Sequence, residues 1–236
     1  MEPVDPAVRA DLAPTGALRA SINLGNPVLA SGSPEAPSGI TVALAREVAA
    51  RLGVDVELQC YGAARDSVAA VAEGRADVGF LAVDPGRPLQ FTAPYVLIEG
   101  VYVVAVDTPL ATAPDVDADG VRVGVKEGSA YDLHLTRTLT HATVERGAEG
   151  IDTFVARALE VGAGIRQPMT AWVDAHPGHR ILEPAFMQIR QAVAVPEERA
   201  ADSVAWLRDV VDALVASGWV AAALTDAGQD PALAAG

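Results

Sequence analysis

The chain is poor in cysteine, in positive charge and in long apolar runs. Cys60 is the single cysteine among 236 residues, which excludes an internal disulfide and any cysteine-rich metal site; it reads as a small core residue. Lys and Arg number 17 against 31 Asp and Glu, a formal charge of −14. A surface this acidic repels phosphate instead of releasing its counterions, so nucleic acid is excluded as a general partner. No stretch approaches the roughly 18–20 apolar residues that a membrane helix needs. The N-terminus, broken by Asp5, Arg9 and Asp11, lacks the apolar segment of about 7–15 residues found in a secretory leader. Either the protein is cytosolic, or a leader was removed or never belonged to this chain. Familiar catalytic signatures are missing too: no G-x-x-x-x-G-K-S, no G-x-G-x-x-G and no G-x-S-x-G. His134, His141, His176 and His179 lack the spacing of a zinc site and read as solvated. No cofactor and no metal are expected.

What is present is an alternation of short strands and amphipathic helices from about residue 17, the pattern of an α/β fold. Half of the chain is hydrophobic, and its length suits one large domain or two modest ones. Leu18 to Leu24 reads as a first strand, ending in Gly25-Asn26-Pro27. Ala30 to Gly39, rich in Ser, Gly and Pro, reads as irregular loop. Leu44, Val48 and Leu52 share one face of a helix near Thr41 to Leu52 that Gly53 stops. Val54 to Cys60 alternates like a strand. Asp66 is placed to cap a short helix that ends at Gly74. Val78 to Val83, nearly all apolar, suits a strand buried on both faces.

The composition shifts near residue 106. Val101 to Val106 is β-prone, and Asp107 to Gly120 is a Pro/Asp-rich connection. A second round follows: strand Val121 to Val125, the Gly128-Ser129 turn, and a helix carrying Tyr131, Leu135 and Leu139. A helix near Asp152 to Leu159 and a strand Val161 to Ile165 come next. Phe186 to Val195 reads as a strand returning to the first unit. Val204, Leu207, Val211 and Leu214 mark a final helix closed by Gly218. The expectation is two α/β units, residues 1–105 with 195–236 and, inserted between them, residues 106–194.

Several segments resemble one family in order and spacing. Besides the first strand they are Gly39-Ile40-Thr41-Val42-Ala43-Leu44-Ala45, Gly74-Arg75-Ala76-Asp77-Val78, Arg87 with Phe91-Thr92-Ala93-Pro94-Tyr95, and Val123-Gly124-Val125 with Gly128-Ser129. The family is the extracellular solute-binding proteins of type 3, the amino-acid-binding components of ABC importers, and the resemblance spans about residues 17 to 228. It implies a two-lobed periplasmic-binding-protein type II fold, with lobes joined by two crossing strands and a ligand cleft between them. It also implies a periplasmic or extracytoplasmic setting, ABC permease subunits as partners, and a small carboxylated solute or amino acid as ligand. A monomer without enzymatic activity is expected.

By the same resemblance Arg87 binds the ligand carboxylate, for which a guanidinium offers a planar two-pronged fork. The alternative is a solvated loop arginine, since Pro85, Gly86 and Pro88 mark a turn. Asp84 either accepts from a ligand ammonium or pairs with Arg87, and Ala82 offers backbone groups. Ser129 and Ala130 open a helix whose orphan N–H groups suit a carboxylate, although Ser129 also suits a cap. Arg166 and Gln167 stand where the family usually has an aspartate for the ligand α-amino group. A cation here either meets a further anionic or carbonyl group of the ligand or pairs with an acidic neighbour. Asn23 and Asn26 replace an aromatic ring of the family, and their amides favour a polar ligand. Glu99, inside an apolar stretch, is either a cleft group or the buried partner of an arginine. The rivals on this scaffold are a cyclohexadienyl or arogenate dehydratase, with Glu99 or Glu127 as the acid, and a ligand-sensing domain.

Overall fold

The structure, a computed structural model, describes residues 4–236. Contacts divide the chain into two units, one running through Leu97 and resuming at Arg190–Gly236, the other Ile98–Ile189.

The first unit opens with a short helix absent from the sequence reading, α1 (Pro6–Leu12), whose N-cap Asp5 accepts from the Ala7 N–H at 2.8 Å. Strand β1 (Ala17–Asn23) follows, then β2 (Ser31–Ser33) and β3 (Ala36–Ser38), α2 (Ile40–Leu52), β4 (Asp55–Tyr61), α3 (Ala64–Ala72) and β5 (Val78–Ala82). The stretch read as irregular is thus a small antiparallel hairpin, Ser31 facing Ser38 and Ser33 facing Ala36. Its turn residues announced the reversal but not the pairing of their exposed flanks. Asp66 does not cap α3; Ala63 holds that position and Asp66 lies in the first turn, where the helix dipole favours a carboxylate. Helix α2 buries Ile40, Val42, Leu44, Ala45, Val48 and Leu52. Its entry needs glycine: Gly39 has φ +105°, and a Cβ there would sit 2.5 Å from the Leu29 carbonyl oxygen.

Strand β6 (Leu89–Ala105) carries the chain from the first unit into the second. Beyond a single 3-10 turn (Ala113–Val116) come β7 (Arg122–Lys126), α4 (Ala130–Thr138), β8 (Thr143–Gly147), α5 (Gly150–Ala156), β9 (Val161–Ile165) and α6 (Arg166–Ala175). Neither β8 nor α6 was expected. Pro168 occupies the first turn of α6, where the missing N–H is harmless. Strand β8 is polar because ion pairs cover it, Arg146 to Asp132 and Glu145 to Arg157. Strand β10 (His179–Pro196) returns to the first unit, which α7 (Ala201–Ala216) and α8 (Trp219–Asp226) complete. Val204, Leu207, Val211 and Leu214 are the buried stripe of α7.

Within the first unit the strand order is β4-β1-β5-β10. Strands β4, β1 and β5 are parallel, and β10 is antiparallel to β5. The chain leaves β1 through α2 to β4 on one side, then returns through α3 to β5 on the other. Such a reversal opens a crevice at the carboxyl ends of β1 and β5, the place where α/β sheets bind ligands. The second unit repeats the device in the order β8-β7-β9-β6, with β8, β7 and β9 parallel, so its crevice lies beyond β7 and β9.

A buried ion pair locks the first sheet. Asp77, fully buried, accepts from the Arg19 N–H and Nε at 3.0 Å and from its Nη2 at 2.7 Å, with Arg199 Nη2 at 3.5 Å. The aspartate of the Gly74-Arg75-Ala76-Asp77 segment is therefore a clamp between β1, β5 and the start of α7.

Candidate functional site

In the first unit, the residues after β1 and β5 converge on one sheet edge. Asn23 and Asn26 are turn builders there. Asn23 Oδ1 accepts from the Gly25 N–H at 3.0 Å, and buried Asn26 accepts from Val28 through Oδ1 and from Leu29 and Ala30 through its carbonyl. Their amide nitrogens have no protein acceptor among the described residues.

After β5 the chain turns on Asp84. Its carboxylate accepts from Gly86 N–H at 2.8 Å and its carbonyl from Arg87 N–H at 3.1 Å. The turn folds Arg87 inward, so the solvated alternative is wrong: Arg87 is 8% exposed. Its Nη1 donates to the Ala82 carbonyl at 2.7 Å. No carboxylate among the described residues is in ion-pair contact with it. Burial pushes the guanidinium pKa down, and the Asp84 charge opposes this in part. Asp84 therefore steadies Arg87 at a distance and does not form the direct pair entertained from the sequence.

In the second unit Ser129 caps α4, its Oγ accepting from Asp132 N–H at 3.0 Å, while buried Asp132 accepts from Gly128 N–H at 2.9 Å and from Arg146. Of the two N–H groups expected to be orphans, that of Ser129 is used, donating to Lys126 carbonyl at 3.1 Å to close the turn. Ala130 N–H keeps no protein partner among the described residues. Tyr131 packs beside them, and burial pushes its hydroxyl pKa up.

Arg166 begins α6 beyond β9. Its Nη1 and Nη2 grip Glu183 at 2.7 and 2.9 Å, and its Nε donates to Glu99. Hydrogen bonding to Glu183 and then Glu99 pushes its pKa up and holds that of Glu183 down. Glu99 is thus the partner of an arginine, but with a side chain 49% exposed it is not buried. The pairing follows from register: antiparallel β6 and β9 set Gly100 opposite Ile165, so Glu99 and Arg166 are neighbours. Gln167, the next residue, has a shielded Oε1 without a partner among the described residues.

Of the histidines, His141 and His176 are exposed as expected, while His134 and His179 are half-buried. His176 stacks on Trp172 at 4.0 Å between ring centroids, and His179 meets the same ring edge-on at 4.8 Å. Two polar residues escaped the sequence reading altogether. Glu183 carries no motif, and its role is visible only through Arg166. Gln191 is buried and left one signal, a lone polar side chain opening the apolar run to Val195.

This architecture is the two-lobed type II periplasmic binding fold. The chain belongs to the bacterial extracellular solute-binding proteins, family 3, which it matches over residues 25–226. Among solved structures, the solute receptor for L-cysteine of Neisseria gonorrhoeae superposes with a TM-score of 0.75 at 20% identity, over 93% of this chain and 92% of that one. An amino acid ABC transporter substrate-binding protein from Streptococcus pneumoniae, bound to L-arginine, gives 0.73 at 19% identity, over 92% and 96%. An ancestral amino-acid-binding protein, described as a precursor of cyclohexadienyl dehydratase, gives 0.70 at 17% identity, over 90% and 95%. No curated protein matches the chain. Among the described residues no helix is long and apolar enough to cross a membrane.

Proposed function

We propose that this chain is the substrate-binding component of an ABC importer, taking a small polar solute with a carboxylate group, an amino acid or a related organic acid. The observation that carries this reading is Arg87: a buried guanidinium held by one carbonyl, without a carboxylate in ion-pair contact among the described residues. Guanidinium stays charged in proteins, and a buried charge is costly unless paired. A ligand carboxylate would supply the pair through two charge-assisted bonds, each contributing about 1.5–3 kcal/mol. The second unit would add Ala130 N–H at the positive end of α4, with Ser129 shaping that end. Arg166 with Glu99 and Glu183 carries one net negative charge, the sign of the family's aspartate, and so suits a ligand ammonium. The two contact-defined units are, in this reading, the lobes of a hinge, and a ligand engaging both shifts an open population toward a closed one that permease subunits recognise.

A thermal-shift screen of amino acids and organic acids tests the proposal. A solute at about 100 times its dissociation constant stabilises the fold by roughly 2.7 kcal/mol, about 5–10 °C for a chain of this size. Arg87→Met is expected to abolish that shift. Absence of any shift from carboxylated solutes, with Arg87→Met indistinguishable from the parent, would sink the reading. The dehydratase alternative has less support, because Glu99 is engaged as an acceptor by Arg166; incubation with prephenate or arogenate is expected to release no aromatic product.

A further inference from the structure

Resting on Arg87 as the anion anchor, we propose that Gln191 is a second recognition residue, whose amide makes the site selective for carboxylates with a hydrogen-bond donor on the adjacent carbon. Gln191 is 5% exposed, and its side chain makes no hydrogen bond among the described residues. Its successors Ala192, Val193, Ala194 and Val195 are apolar and buried, so packing alone would favour an apolar residue here as well. Its amide atoms are not among the fully enclosed unpartnered ones, so they meet solvent at the edge of the core, and a polar group held there calls for an explanation.

The register supplies it. Strands β5 and β10 set Gln191 opposite Ala82 and Val193 opposite Phe80. Val83 N–H donates to the Arg190 carbonyl at 2.8 Å, which makes Ala82 and Gln191 a non-hydrogen-bonded pair, the arrangement with side chains closest and on the same face. The Ala82 carbonyl in turn receives Arg87 Nη1 at 2.7 Å. One residue at the carboxyl end of β5 therefore has the glutamine amide beside its methyl group and the buried guanidinium on its carbonyl, neither with an ion-pair or amide partner among the described residues. Arg87 offers donors only, whereas glutamine adds both N–H donors and an acceptor oxygen. A carboxylate would take N–H groups from both, and the glutamine oxygen would accept from an α-amino or α-hydroxyl group of the same ligand. A simple carboxylate would cover that oxygen and leave it unpaired, which penalises it.

Calorimetric titration of the whole chain with the twenty L-amino acids, their 2-hydroxy analogues and the matching unsubstituted carboxylates tests this, with Gln191→Met and Gln191→Glu compared. For the tightest solute, Gln191→Met is expected to weaken binding about 10-fold. It should also shrink the preference over the unsubstituted analogue, and leave the unliganded melting temperature unchanged or higher. Gln191→Glu, a carboxylate set against the ligand's own, is expected to weaken binding further. Unchanged affinity and preference in Gln191→Met, while Arg87→Met loses binding, overturns the role of Gln191 and leaves the binding function standing. A lower unliganded melting temperature in Gln191→Met assigns the amide a structural task and overturns it as well. If no solute binds the parent, the reading of Arg87 fails first and this one with it.

Discussion

Arg87 and Arg166 look alike in a sequence, each an arginine just after an apolar strand. Their surroundings separate them. Arg87 is folded inward by the Asp84 turn and meets a carbonyl, while Arg166 is enclosed by Glu99 and Glu183. Which arginine keeps charge to offer a ligand depends on partners 17 and 67 residues away, as Glu183 and Glu99 are from Arg166, and no local pattern encodes that. Asp77 is the opposite case, a motif residue whose task is wholly structural. Because it is fully buried and bound to Arg19 and Arg199, Asp77→Ala leaves two arginines without their shared partner. The expected loss is about 3 kcal/mol, measured by urea denaturation; a loss below 1 kcal/mol would show that water replaces the carboxylate easily.

Among elements, those defined by their own periodicity were legible and those defined by neighbours were not. Helix α2 and strands β5 and β9 were readable because burial leaves a direct imprint on residue spacing. Strand β8 was not, since its polar residues are neutralised by α4 and the chain after α5, and the first turn of α6 hides behind Pro168. The start of β8 also depends on a distant carboxylate. Asp117 accepts from the N–H groups of Ala142, His141 and Thr140 and from Thr140 Oγ1 at 2.7 to 3.0 Å. Chiefly the Ala142 and His141 bonds hold its pKa well below the ordinary carboxylate range. A carboxyl depressed on folding stabilises the fold fully above its unfolded value, near 3.9, and less as pH falls below that toward the folded value. Asp117→Asn should therefore lower the urea midpoint at pH 7, with the gap from the parent closing below about pH 4. A gap that stays constant between pH 7 and pH 3 would rule the carboxylate out as its cause.

For the whole molecule, the charge of −14 is the dominant long-range term. Self-repulsion destabilises a compact, highly charged chain, and its surface ion pairs, each contributing about 0–1 kcal/mol, offset only part of this. Raising ionic strength from about 0.01 to 0.15 M shortens the screening length from roughly 30 to 8 Å, so the melting temperature should rise with added sodium chloride. A fall would mean that the ion pairs outweigh the repulsion.

The residue sequence determined by itself the α/β class, most of the strands and helices, and the turn chemistry that brings Arg87 to the end of β5. These are local properties, set by side-chain spacing and by where glycine, proline and aspartate fall. Tertiary structure alone decided which polar groups are satisfied. Glu183 neutralises Arg166, Asp77 clamps Arg19, and Gln191 is left beside Ala82 without a hydrogen-bond partner among the described residues. Satisfaction of a buried polar group depends on atoms brought close in space by packing, and their separation along the chain carries no record of it.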